Sequence, residues 1–93
     1  MGLKLPSSFE LANRTWRVRF KRLKDCHGKT DFTRARITID VALKVDEQML
    51  LQTFMHEVLH AAAGTMGWHR VNNDEHRIDA LAALLAQAWQ SQR

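Results

Sequence analysis

The chain has 93 residues, 45% of them hydrophobic and 26% charged, which predicts one globular domain and leaves no room for a second. No stretch has the length and apolarity of a membrane span, the lone cysteine Cys26 excludes an internal disulfide, and the first residues lack the apolar core of a signal peptide. We therefore expect a cytoplasmic protein with no membrane partner. The net charge of +4 is compatible with a nucleic-acid partner.

The first third of the chain alternates between apolar and basic residues. In TWRVRFKRL, residues 15–23, Trp16, Val18 and Phe20 share one face of a strand and the cations share the other. Residues 9–11, which precede it, are also expected to be β-structure, followed by a turn at residues 12–14. We interpret the basic residues as the solvated face of a sheet rather than as a nucleic-acid surface.

A second strong strand is predicted in ARITIDVAL, residues 35–43. Its period of two places Ile37, Ile39 and Val41 on one face. Residues 29–33, between the two strong strands, are expected to form a short edge strand. The sheet is thus expected to contain about three strands.

From Asp46 onwards the hydrophobic period becomes that of a helix. Asp46 is a suitable N-cap, and Gly64 and Gly67 are expected to end the helix. A second helix follows the possible caps at residues 72–74. Its predicted apolar stripe consists of Ile78, Leu81, Leu85, Ala88 and Trp89. Strands followed by helices predict an α+β fold, in which a small twisted N-terminal sheet packs on two C-terminal helices.

The first predicted helix contains the motif HEVLH, residues 56–60. His56 and His60 are about 40° apart around the helix and lie away from its main apolar stripe. Two imidazoles one turn apart can bind Zn²⁺, and Glu57 is placed to act as general base on a water activated by the metal. We predict a zinc site rather than a solvated pair of histidines. Ligand type narrows the metal but also admits Mn²⁺, Co²⁺ or Fe²⁺.

A catalytic zinc usually has a third protein ligand. Glu75 and Asp79 lie on the alanine-rich face of the second helix. Packing is expected to bury this face, and a buried carboxylate is costly unless a cation or a hydrogen-bond donor compensates its charge. We predict Glu75 as the third metal ligand and Asp79 as the acceptor of a ring N–H from a ligating histidine. His69 and His76 stay open as alternative ligands or as groups that stabilise an oxyanion. The electrostatics of a helix N-terminus would also explain the acidic pair.

These motifs resemble those of zincin metallopeptidases, and the spacing of Glu75 and Asp79 resembles that of the gluzincin branch. LLQTFMHEVLHAAAG followed by NDEHRIDALAALL is similar to small single-domain zincin-like proteins of phages, prophages and bacteria, over about Gly28 to Trp89. The resemblance implies a minimal zincin domain over residues 1–93 that cleaves peptides in a bacterial or phage-infected cell. It also implies an edge strand, within Lys29 to Asp40, that binds an extended peptide by strand addition.

The chain contains no tyrosine, whereas larger gluzincins commonly stabilise the oxyanion with a tyrosine or a histidine. The alternative is therefore a non-catalytic zinc-stabilised domain that binds a protein or nucleic-acid partner, since metal binding supplies much of the folding energy of some small domains. Glu57 favours the enzyme, because a closed structural zinc site would give it no role.

Overall fold

The computed structural model describes residues 3–91, which form one mixed four-stranded sheet and three α-helices, the first of which packs against the sheet. The strands are β1 (Ser8–Leu11), β2 (Arg14–Lys21), β3 (Gly28–Asp31) and β4 (Arg36–Asp40), in the order β1-β2-β4-β3. The outer pairs β1–β2 and β3–β4 are antiparallel, and the central pair β2–β4 is parallel. The α+β class is confirmed, with four strands rather than about three.

The alternation of β2 and β4 gives the sheet one apolar face. Trp16 on β2 and Ile37 and Ile39 on β4 are buried in the core, as their spacing predicts. The hairpin that leads into β2 turns at Ala12 and Asn13, whose φ angles of 50° and 62° lie in the left-handed region that tight hairpins require. Because side chains alternate along β2, its basic residues point away from the core.

The β4 strand ends earlier than its pattern predicts. Asp40 accepts a hydrogen bond from the backbone N–H of Ala42 at 3.2 Å and caps a 3-10 helix at Val41–Val45. Val41 is therefore exposed on this helix, and its predicted place on the buried face of the strand was wrong. The side chain of Asp40 satisfies the backbone locally, so the chain leaves the sheet.

The long helix α1 (Glu47–Thr65) lies between the sheet and the C-terminal helix. It begins at the predicted N-cap, where the Asp46 side chain accepts from Met49 N at 3.1 Å. A four-residue helix, α2 (His69–Asn72), follows and was not predicted. Asp74 then caps α3 (Glu75–Gln90) by accepting from Arg77 N at 3.1 Å. Among residues 3–91 no helix is both long and apolar enough to cross a membrane.

The C-terminal helix packs through its small residues. Ile78, Ala82 and Ala86 are buried, whereas Leu81, Leu85 and Trp89 are 46%, 43% and 52% exposed. Ala88 is exposed as well, so the predicted apolar stripe was right for Ile78 and wrong for its other four members. Alanines let the backbone of α3 approach α1 closely, and the bulkier side chains then lie outside the contact. This close approach brings the start of α3 to the histidines of α1.

Candidate metal centre

Three side chains from α1 and α3 converge at the point where these helices meet. His56 Nε2 lies 3.2 Å from Glu75 Oε2, and His60 Nε2 lies 2.9 Å from Glu75 Oε1. The two Nε2 atoms are 3.2 Å apart. One potential ligand atom from each residue lies within 4.8 Å of the others. The structure thus brings together the two histidines and the glutamate that the sequence singled out.

The opposite ring nitrogens of both histidines are held by neighbouring side chains. His56 Nδ1 lies 3.1 Å from Asp79 Oδ1, and His60 Nδ1 lies 2.8 Å from Asn72 Oδ1. Because a carboxylate or a carbonyl oxygen can only accept, both imidazoles donate from Nδ1. Asp79 occupies the orienting position that the sequence assigned to it. The sequence marks Asn72 only as a helix cap, and nothing in it indicates the contact with His60.

With both histidines in the neutral form, this arrangement would leave acceptors facing one another without a donor. With their protons on Nδ1, neutral His56 and His60 direct Nε2 lone pairs towards each other and towards the carboxylate oxygens of Glu75. Acceptors at about 3 Å repel unless a cation or additional protons lie between them. Two imidazoles and a carboxylate are a frequent ligand set for Zn²⁺. The donor set therefore fits a divalent metal.

One side of the cluster is open to solvent. The side chains of His56 and His60 are only 18% and 14% exposed, so they are not a solvated surface pair. Those of Glu75 and Asp79 are both 67% exposed. The expectation that packing would enclose the two carboxylates was therefore wrong. Both residues lie in the first turns of α3, at the rim of the helix contact, so that water and a ligand can reach the cluster from there.

The carboxylate of Glu57 lies beneath β3 and is held by that strand. Glu57 is only 7% exposed, and Thr30 Oγ1 donates to its Oε1 at 2.7 Å. A side chain on Gly28 would approach Glu57 Cγ and Oε2 to 3.0 and 3.1 Å, so glycine permits the strand to lie this close. Sequence reasoning missed Thr30, although its position two residues after Gly28 places it on the same face of β3.

An open cleft of about 750 Å³ runs beside the cluster. Its walls come from the start of β3, from α1 and from the residues of the cluster. Of the described residues, those that line it include Cys26, His27, Phe32, Met49, Gln52 and Thr53. His69 and His76, the alternative ligands, are exposed on α2 and α3 and belong neither to this lining nor to the three-residue cluster.

Comparison of the chain with models of protein families, with curated proteins and with solved structures found no match.

Proposed function

We propose that this protein is a zinc-dependent metallopeptidase, with His56, His60 and Glu75 as metal ligands and Glu57 as general base. The observation that carries this proposal is the convergence of His56 Nε2, His60 Nε2 and the Glu75 carboxylate, whose atoms lie 2.9–3.2 Å apart. A zinc ion bound there would lower the pKa of a coordinated water to about 7 and so supply a nucleophile at neutral pH.

The position of Glu57 supports its role in proton transfer. One of its oxygens, Oε1, is occupied by the Thr30 hydroxyl, and Oε2 lies on the Gly28 side of the cleft. In the proposed reaction Oε2 accepts a proton from water, and the carboxylic acid so formed returns that proton to the leaving amine. Thr30 keeps the carboxylate in place throughout.

The open rim of the cluster favours a catalytic site over a non-catalytic zinc domain. Structural zinc sites are closed by four protein ligands, whereas catalytic sites keep one position for water or substrate. Here three side chains supply the ligand set, and the third, Glu75, is two-thirds exposed beside a cleft. The buried Glu57 in the same cleft would not be a ligand in a closed structural site, whereas a catalytic site would use it as a base.

The edge of the sheet offers a place for a peptide substrate. The sheet order leaves β3 at an edge, while β4 is an inner strand. Of the two strands that overlap the expected range, Lys29 to Asp40, β3 is therefore the proposed binding edge. Asp40 N donates to His27 O at 2.8 Å, and bonded pairs alternate along an antiparallel ladder. Gly28 and Thr30 therefore direct their backbone groups outwards. We propose that an extended peptide pairs with these two residues and crosses the cleft beside the metal.

Metal content tests the proposed ligand set. Wild-type protein purified without chelator should carry about one zinc per chain by elemental analysis, because three ligands from two packed helices are already gathered. Glu57→Gln should retain the metal, whereas His56→Ala and Glu75→Ala should lose it. A wild-type protein that takes up no metal when zinc is supplied would refute both the peptidase and the non-catalytic zinc domain.

A second prediction concerns Thr30. Replacing it with valine removes the hydroxyl that orients Glu57 but keeps the shape of the side chain, so kcat should fall by about 10- to 100-fold, the equivalent of one hydrogen bond to a charged group. KM should change little, since the backbone edge of β3 is unaltered. Steady-state assays on a cleaved peptide check this.

The conservative variant Thr30→Ser serves as the control. It keeps the donor and should retain most of the wild-type kcat, with the same zinc content as Thr30→Val. A Thr30→Val protein with the wild-type kcat, or a Thr30→Ser protein that loses more activity than Thr30→Val, would contradict the positioning role of the hydroxyl.

A further inference from the structure

Positive and negative charges are separated between the two halves of this fold. Residues 3–40, which include the whole sheet, carry ten Lys and Arg against four Asp and Glu. Residues 41–91, which form the helices, carry three against six. The metal centre thus lies on the acidic side of the molecule, and the excess positive charge lies on the sheet.

The strand register gathers basic residues from three strands on the face of the sheet that is turned away from the helices. We call this surface the basic face; its members are Arg17, Arg19 and Lys21 of β2, Lys29 of β3 and Arg36 of β4. Arg17 pairs with Arg36, while Arg19 and Lys29 flank Thr38 from its two sides. The sequence shows these cations strand by strand, and the strand order places those of β2, β4 and β3 side by side.

The basic face carries an unfavourable contact between like charges, and the two aspartates that stand opposite its cations in the register, Asp31 across from Arg36 and Asp40 across from Lys21, form no ion pair with them in residues 3–91. Arg17 and Arg36 are directly opposed on neighbouring strands, and like charges in that position destabilise a sheet. Within residues 3–91 none of the five cations forms an ion pair. Arg19 instead donates to Thr38 Oγ1 at 3.2 Å, which leaves its guanidinium charge uncompensated.

The three carboxylates on this side of the sheet are engaged elsewhere. Asp31 accepts from the backbone N–H and the guanidinium of Arg34, and these two bonds hold the pKa of its carboxyl below the usual range. Asp40 caps the 3-10 helix, and Glu10 accepts from a threonine hydroxyl on β2. None of the three forms an ion pair with a cation of the basic face, and the five cations outnumber them, so this face keeps a net positive charge for an external anion.

We propose that the basic face binds the phosphate backbone of a nucleic acid, at a site separate from the metal centre. A row of cations on one face of a sheet is complementary to a chain of regularly spaced phosphates, and three of the five are arginines, whose planar guanidinium groups can donate two hydrogen bonds to phosphate oxygens. The aromatic residues of β2, Trp16 and Phe20, face the core, so this surface offers neither base stacking nor an apolar anchor for a lipid membrane. The binding is consequently independent of base sequence.

Fluorescence anisotropy with labelled 20-nucleotide single-stranded DNA, RNA and duplex DNA at several salt concentrations tests this proposal. Five phosphate contacts predict a slope of about −3.5 for log K against log salt on a single strand. The double variant Arg17→Gln, Arg36→Gln should weaken binding at least tenfold at low salt and reduce the slope by about 1.4. Comparison of the three ligands identifies the preferred form of nucleic acid.

The matched control is the double variant Arg70→Gln, Arg77→Gln, which removes the same charge from the helical side and should bind within twofold of wild type. The Arg17, Arg36 variant should unfold in urea at the same midpoint as wild type or a higher one, because the opposed charges are gone. The double variant Lys21→Gln, Lys29→Gln provides a second test, because it leaves the opposed Arg17 and Arg36 in place. Absence of binding, equal losses in the control, or preference for anionic vesicles over nucleic acid would each overturn the proposal.

Discussion

Glu57→Gln is expected to bind zinc as the wild type does and to hydrolyse peptides about 10²- to 10⁴-fold more slowly, the range that a positioned general base contributes. An amide cannot take the proton from water. Its shape is nearly that of the carboxylate, and its oxygen can still accept the hydrogen bond from Thr30 Oγ1. The substitution therefore removes the proton acceptor without moving the strand or the proposed ligands. Cleavage of a mixed library of quenched fluorescent peptides gives the two rates.

Glu47→Gln is the matched control for this experiment. It makes the same chemical change on the same helix, but in the exposed first turn of α1, away from the cleft. Its cleavage rate should remain close to that of the wild type. A Glu57→Gln protein that cleaves peptides at the wild-type rate would contradict the general-base role. Loss of zinc from Glu57→Gln would instead make Glu57 a part of the metal-binding structure.

The features that the sequence predicts well are those with local causes. The period of two in β2 and the N-cap at Asp46 depend on neighbouring residues, and both appear in the structure. HEVLH specifies the relative placement of His56 and His60 because helix geometry alone sets it. The approach of Glu75 to these histidines could be proposed because alanines on α3 allow close packing.

The contacts that the sequence missed join residues far apart in the chain. Thr30 reaches Glu57 across 27 positions, and Asn72 reaches His60 through a helix of only four residues that carries no strong periodic signal. Helical periodicity also identified the apolar residues of α3 without showing which of them the neighbouring helix would cover. Leu81 and Leu85 are exposed because contact through alanine leaves larger side chains outside.

Removal of zinc is expected to lower the melting temperature of the protein by on the order of 20 °C. A ligand present at about a thousand times its Kd stabilises the native state by about 4 kcal/mol, and for a domain of this size 1 kcal/mol corresponds to about 4–8 °C. The metal would join α1 to α3, a contact that otherwise depends on small side chains. Thermal unfolding followed by circular dichroism, with zinc and then with a chelator, measures the shift.

The variant Glu75→Ala distinguishes this site from any other zinc-binding group in the chain. Without its third ligand the cluster should bind zinc weakly, so the melting temperature of this variant should be nearly the same with zinc and with chelator. Asp79→Asn should lie between it and the wild type, because loss of a group that orients a ligating histidine typically weakens metal binding by about 10- to 100-fold. A full zinc-dependent shift in Glu75→Ala would mean that the stabilising metal binds elsewhere, for example at Cys26 and His27, which also line the cleft. Such a result would leave His56 and His60 hydrogen-bonded to α3 without a metal, and the proposed ligand set would be wrong.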